Sequence, residues 1–255
     1  MIISVVNHST TVTNEQLLEA IRAINRQIKE DFEPYWSFSA TLRLEGANGK
    51  KAYKAKLTEM RGDAILYLAD KPDVSGALGY HDKNFRGIPY GFVFTDLCKK
   101  IGENWTVTLS HEALELLGDA QGNLLVQGPH PENPDQEVFH WFEMCDAVQA
   151  LKYEIDGIEV SDFVLPLYFT SGEQGGRNDF LGTKGLRSFG IAPGSYIGFY
   201  NPESGEHETH FPKTDKAAAE RAKAKNAHKA GRGYVRKRGK ATAQREDEHS
   251  RVLSL

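Results

Sequence analysis

From Thr108 to Asp119 the chain reads Thr-Leu-Ser-His-Glu-Ala-Leu-Glu-Leu-Leu-Gly-Asp, and His111, Glu112 and Glu115 within it spell H-E-x-x-E. This differs by one residue from the H-E-x-x-H motif of zinc hydrolases. On a helix, positions four apart share a face, so His111 and Glu115 can grip one metal ion. Glu112 sits one position round, where it can reach a water on that ion and take its proton. Imidazole nitrogen and carboxylate oxygen are both ordinary zinc ligands, and an open fourth position makes such a site catalytic.

Glutamate is a good helix former, so His-Glu-x-x-Glu also arises by chance on solvated helix faces. The surroundings argue against a solvated face. Val107, Leu109, Ala113, Leu114, Leu116 and Leu117 crowd the motif, and His111, Glu115 and Asp119 recur every fourth residue as a polar stripe. A surface helix would interleave Lys or Arg with its acids. None occurs between Glu103 and Asp135. An acidic stripe among buried leucines is costly unless a positive charge joins it.

Several elements must position this helix. Ile2 to Val6 reads as a strand. Thr13 and Gln16 form a capping box. Leu17, Leu18, Ile21, Ile24, Ile28 and Phe32 follow at helical spacing, predicting about five turns that end before Pro34. Residues 36–44 alternate as a half-buried strand, Ala64 to Ala69 is a buried strand, and Tyr90 to Phe94 is another. The motif helix is expected over 103–118, closed by Gly118. Beyond it, 139–146 reads as a strand or an approach to a turn. Lys152 to Ser161 is a hairpin turning at Asp156-Gly157. Residues 162–169 and 194–200 add apolar segments.

Four segments together resemble an uncharacterised bacterial family grouped with zinc metallopeptidases through an H-E-x-x-E helix motif. They are Gly76-Ala-Leu-Gly-Tyr-His81, Ser110 to Asp119, Glu143-Met-Cys-Asp146 and Val160 to Pro166. Val5-Val6-Asn7 and Leu186 to Tyr196 extend the likeness, which covers about residues 1–212. Ala120 stands where such proteins commonly carry proline. The family is similar to zincins, in particular gluzincins. The resemblance implies a zincin-like α+β fold: a mixed β-sheet behind an active-site helix, an edge strand that pairs with extended substrate, and a β-rich C-terminal part. Residues 1–120 would supply sheet and helix, 121–212 the third ligand and hairpin. Zinc is the implied cofactor.

In gluzincins the third ligand is a Glu downstream of the helix, and Glu143, 28 residues beyond Glu115, is compatible with that role. Flanked by Phe142 and Met144, it also suits a strand residue facing solvent. Asp119, one further turn along the helix face, is the alternative as ligand or as a ligand's hydrogen-bond acceptor. Asp146 is the third choice, reading more naturally as the cap of the turn from Ala147 to Leu151. Hydrolysis needs a donor to the developing oxyanion. Tyr80 and His81, in a glycine-containing loop before the presumed edge strand, are the candidates, although a single loop histidine is more often merely solvated. His130 and His140 fall in or after the proline-rich stretch 128–134 and carry no assignment. Cys145 is either a soft ligand or a small buried thiol. Two anionic ligands on one ion would also blunt its power to acidify water.

Only Cys98 and Cys145 occur, which fits a reducing cytosol rather than a disulfide framework. The N-terminus reads as a first strand rather than a signal peptide, and no apolar run is long enough to span a membrane. The net charge of -4 conceals an asymmetry: residues 216–255 hold 12 Lys/Arg and 4 Asp/Glu. The segment 213–255 is therefore expected to be a disordered basic tail. Residues 216–240 would suit nucleic acid or another anionic surface, or equally the acidic body of the chain itself. The expected function is a cytoplasmic zinc-dependent hydrolase acting on peptide or protein. The competing expectation is a non-catalytic binding or assembly protein with a zincin-like body.

Overall fold

The structure, a computed structural model, describes residues 1–45, 62–71, 78–83, 87–170 and 172–212. The basic tail, with the partner expected for 216–240, lies outside the described residues.

The N-terminal half is a five-stranded mixed sheet. Strand β1 (Ile2–Asn7) lies between β2 (Thr41–Glu45) and β3 (Ala64–Ala69), parallel to both. Next come β5 (Pro89–Phe94), parallel to β3, and β4 (Gly79–Lys83), antiparallel to β5, giving the order β2-β1-β3-β5-β4. Alternation along the strands sorts the side chains onto two faces. Ile3, Val5, Ala64, Leu66, Leu68 and Val93 face the helices, while Val6, Ile65, Tyr67 and Tyr90 form a separate cluster with Tyr80 and Phe92. Buried on both faces, β3 reads as one unbroken apolar run, as central parallel strands do.

Helix α1 (Asn14–Arg26) carries the expected capping box at Thr13 and Gln16. The helix does not stop before Pro34. Residues Gln27–Phe32 continue as a π-helical turn, and α2 (Glu33–Trp36) follows directly with Pro34 as its second residue. Trp36 therefore closes a helix rather than opening a strand, and β2 begins at Thr41. The wider π turn delivers Gln27, fully buried, into the core.

Helix α3 (Thr95–Ile101), absent from the sequence reading, leads through a left-handed Gly102 to α4 (Trp105–Gly118), the motif helix. Gly118 is not a left-handed cap, since the helix closes at Asp119. Its role is room: a Cβ there would lie 1.9 Å from Met144 Cε.

The C-terminal part contains an antiparallel sheet in the order β11-β10-β7-β6, from β6 (Leu125–His130), β7 (Asn133–Trp141), β10 (Ile197–Asn201) and β11 (Glu206–His210). The proline-rich stretch is thus the tip of a hairpin. The hairpin β8 (Lys152–Ile155) and β9 (Ile158–Ser161) turns where expected, with positive φ at Asp156 and Gly157. Residues 162–169 form no strand of their own and end in a 3-10 turn over Pro166–Phe169. Among the described residues, no helix is long and apolar enough to cross a membrane.

Candidate metal centre

Helix α4 is fixed before its polar residues are aimed. Asn104 caps it, its side-chain oxygen accepting from the Thr106 N–H at 3.2 Å. Ser110, beside the motif, donates to Gln27 Oε1 at 2.6 Å and accepts from the Ser161 N–H at 3.1 Å. Gln27 Nε2 donates in turn to the Ser161 carbonyl at 2.7 Å. This closed triangle joins α4, the π turn and β9 with its buried groups satisfied, which locks the rotation of the helix.

With the helix so set, His111, Glu112 and Glu115 are 4–6 % exposed and converge with side chains from two other segments. His81 comes from β4. Its Nδ1 lies 3.3 Å from Glu112 Oε2 and 3.7 Å from Glu115 Oε2, and its Nε2 lies 3.7 Å from Glu143 Oε2. The turn after β7 supplies Glu143, Cys145 and Asp146. His111 Nε2 is 3.2 Å from Glu115 Oε2 and 3.5 Å from Asp146 Oδ1. The Cys145 N–H donates to Glu115 Oε1 at 3.2 Å, which ties the turn to the helix. Among the described residues, two groups have ligand atoms within 4.8 Å of one another: His111, Glu115 and Cys145, and His81, Glu115 and Glu143.

The electrostatics follow from crowding four carboxylates into a buried space. Burial alone would lower the pKa of His111. The charge of Glu115, hydrogen bonds to Asp146 and Glu115, and the charge of Glu112 together raise it well above the ordinary imidazole value. Burial first, then the charge of Glu115, pushes the Cys145 thiol up, so it stays protonated until something displaces the proton. Tyr196 is raised by burial and then by Asp146 and Glu115, and its hydroxyl bonds to Asp146.

Glu112 has one further constraint. A Cβ on Gly79 would fall 2.6 Å from Glu112 Oε1 and 2.8 Å from the Phe92 carbonyl oxygen. Only glycine in β4 leaves that carboxylate its place.

The structure brings His111, Glu112, Glu115, Glu143, His81 and Asp146 together. Glu143 groups with His81 rather than with His111. Asp146, the third choice, faces His111, its Oδ1 lying 3.5 Å from Nε2. Asp119 stays outside both ligand groups: its Oδ2 accepts from the Leu124 N–H at 2.8 Å and closes the loop into β6. Tyr80 is not brought to the cluster. It lies in β4 rather than a loop, and alternation turns it to the opposite face, stacked on Phe92 and edge-on to Tyr90. His81, its neighbour, faces inward and is no rim residue. Tyr196 is the residue the sequence reading missed, although it ends one of the segments on which the resemblance rests.

No family model, curated protein or solved structure matches this chain, so the reading of the site stands on its own geometry.

Proposed function

We propose that this protein is a zinc-dependent hydrolase acting on peptide bonds, with His111 and Glu115 as ligands from the helix and Glu112 as general base. The observation that carries this reading is the convergence of two histidines and four carboxylates, all nearly buried, around a helix whose spacing suits metal ligation. Donors about 2.0–2.2 Å from a tetrahedral ion stand roughly 3.3–3.6 Å from each other. The 3.2 Å and 3.5 Å separations at His111 Nε2 are close to that spacing.

When bound, a divalent ion supplies the Lewis acidity that polarises the scissile carbonyl and acidifies the attacking water. The residues do the rest. Glu112 takes the proton of that water and passes it to the departing nitrogen as the C–N bond breaks. Tyr196 takes the oxyanion role expected of Tyr80, its hydroxyl turning from Asp146 to donate a hydrogen bond to the oxygen that gains charge. Strand β4 ends the sheet and pairs only with β5 among the described residues. An extended polypeptide can add to such an edge, which places a peptide backbone beside His81 and Glu112. The zincin-like architecture belongs to this same proposal.

Two variants test it. Glu112→Gln should keep its zinc and lose at least two orders of magnitude of turnover on a peptide library, since general-base help is about 10²–10⁴-fold. Glu115→Ala should lose both. Wild-type protein that takes up no zinc after chelation and dialysis would remove the hydrolase reading and leave the binding-protein alternative.

A further inference from the structure

The two histidines are arranged around two points. His111 Nε2 sits with Glu115 and Asp146, and His81 Nε2 sits with Glu143. Of the two groups with ligand spacing, one contains His111 and Cys145 and the other His81 and Glu143, and Glu115 is their one common member. Glu115 is also the carboxylate whose orientation is fixed. The Cys145 N–H holds Oε1, and Oε2 lies 3.2 Å from His111 Nε2 and 3.7 Å from His81 Nδ1. A carboxylate that faces both histidines and belongs to both groups of ligand spacing has the layout of a bridging ligand.

We infer that the centre is dinuclear: one divalent ion is held by His111 and Glu115 on the Cys145–Asp146 side, a second by His81 and Glu143, and Glu115 bridges them. This rests on the metal-dependent reading above and adds a second ion to it. Paired ions in hydrolases stand about 3.5–4 Å apart, a distance one carboxylate spans. Formal charge agrees. Glu112, Glu115, Glu143 and Asp146 carry four negative charges when ionised, which two divalent ions balance and one does not. Glu112 Oε2, 3.3 Å from His81 Nδ1, can accept that ring's N–H. This fixes the tautomer that leaves Nε2 free to ligate beside Glu143. His81 is then a ligand to the second ion rather than an oxyanion donor, and Glu143 serves that ion rather than the first.

The test is a count of ions on the full chain. Protein stripped with a chelator is titrated with zinc by calorimetry, and its content after dialysis is read by elemental analysis. Wild type should saturate at two ions per chain, and His81→Ala at one. His81→Gln, which preserves more of the side-chain volume, should also give one, and the wild-type count stands without either variant. Saturation of wild type at one ion overturns the dinuclear centre while leaving the metal-dependent hydrolase intact. Two ions retained in both His81 variants overturn it as well, by placing the second ion elsewhere. Wild type that binds no zinc removes both readings together.

Discussion

Among the described residues, two clusters of buried acids are treated in opposite ways. Near α4, four carboxylates face two imidazoles across 3.2–3.7 Å. In the segments after β9, Asp162 and Asp179 lie fully buried, and backbone and hydroxyl donors serve them. The Leu181 N–H reaches Asp162 Oδ1, and the Thr183 N–H and hydroxyl reach Asp179. Asp162 Oδ2 has no donor facing it, which is where a proton shared with Asp179 would sit. Burial, then Asp179, pushes the Asp162 carboxyl up to about 8. The lesson is one of charge management. Asp162 is pushed toward its neutral form, whereas the acids of the centre gather histidines at ligand spacing.

That contrast breaks first at Tyr196. If its hydroxyl stabilises the oxyanion, Tyr196→Phe should cut turnover about 10²–10³-fold with zinc content unchanged. Kinetics beside elemental analysis decides it. Loss of zinc instead would mean that Tyr196 serves by holding Asp146 in place.

A smaller effect is expected at Gly79. The added methyl of Gly79→Ala meets Glu112 Oε1 at 2.6 Å, and it meets a β5 carbonyl that cannot yield. Glu112 must move, so turnover should drop by about tenfold or more, since small misplacements of a catalytic group are costly. Overpacking should also cost about 1–3 kcal/mol of stability. The ion at His111 should hold, because Glu112 is not a ligand. Full turnover in this variant would show that the position of Glu112 is not critical.

How much of this was legible in the chain depends on the range of the interaction. Spacing alone placed α4 and aimed His111 and Glu115 together. The hairpin at Asp156-Gly157 and the buried strand β3 were also local signals. Strand β4 was not legible, because Gly-Tyr-His-Asp-Lys turns Tyr80 toward an aromatic cluster and His81 toward a polar centre. Neither face therefore gives an apolar alternation, and nothing local says which residue points to α4. The π turn was hidden for a similar reason. Gln27 looks like a polar lapse in an apolar helix until Ser110 and Ser161, far along the chain, complete its hydrogen bonds. The approach of Asp146 to His111 was not legible either, because the two lie far apart in the chain.

The smallest effect tests the structural half of the comparison. An ordinary aspartate titrates near 3.8, and Asp162 is pushed up to about 8 in the fold. Between those values the folded state holds a proton that the unfolded chain has released. The stabilisation is complete below the lower value and is lost as pH rises toward the upper one. Melting temperatures of the ion-free protein should therefore decline between about pH 5 and 8. Asp162→Asn carries no titrating proton and can still offer an N–H to Asp179, so its decline should be shallower. The difference is capped at one proton, about 1.4 kcal/mol per pH unit. His111, also raised above its ordinary value, slopes the same way in both proteins and cancels from the comparison. Zinc uptake should be the same in both, because Asp162 belongs to neither ligand group. An unchanged slope would mean that Asp162 is ionised in the fold, and a lost zinc would mean that the two acid clusters are one.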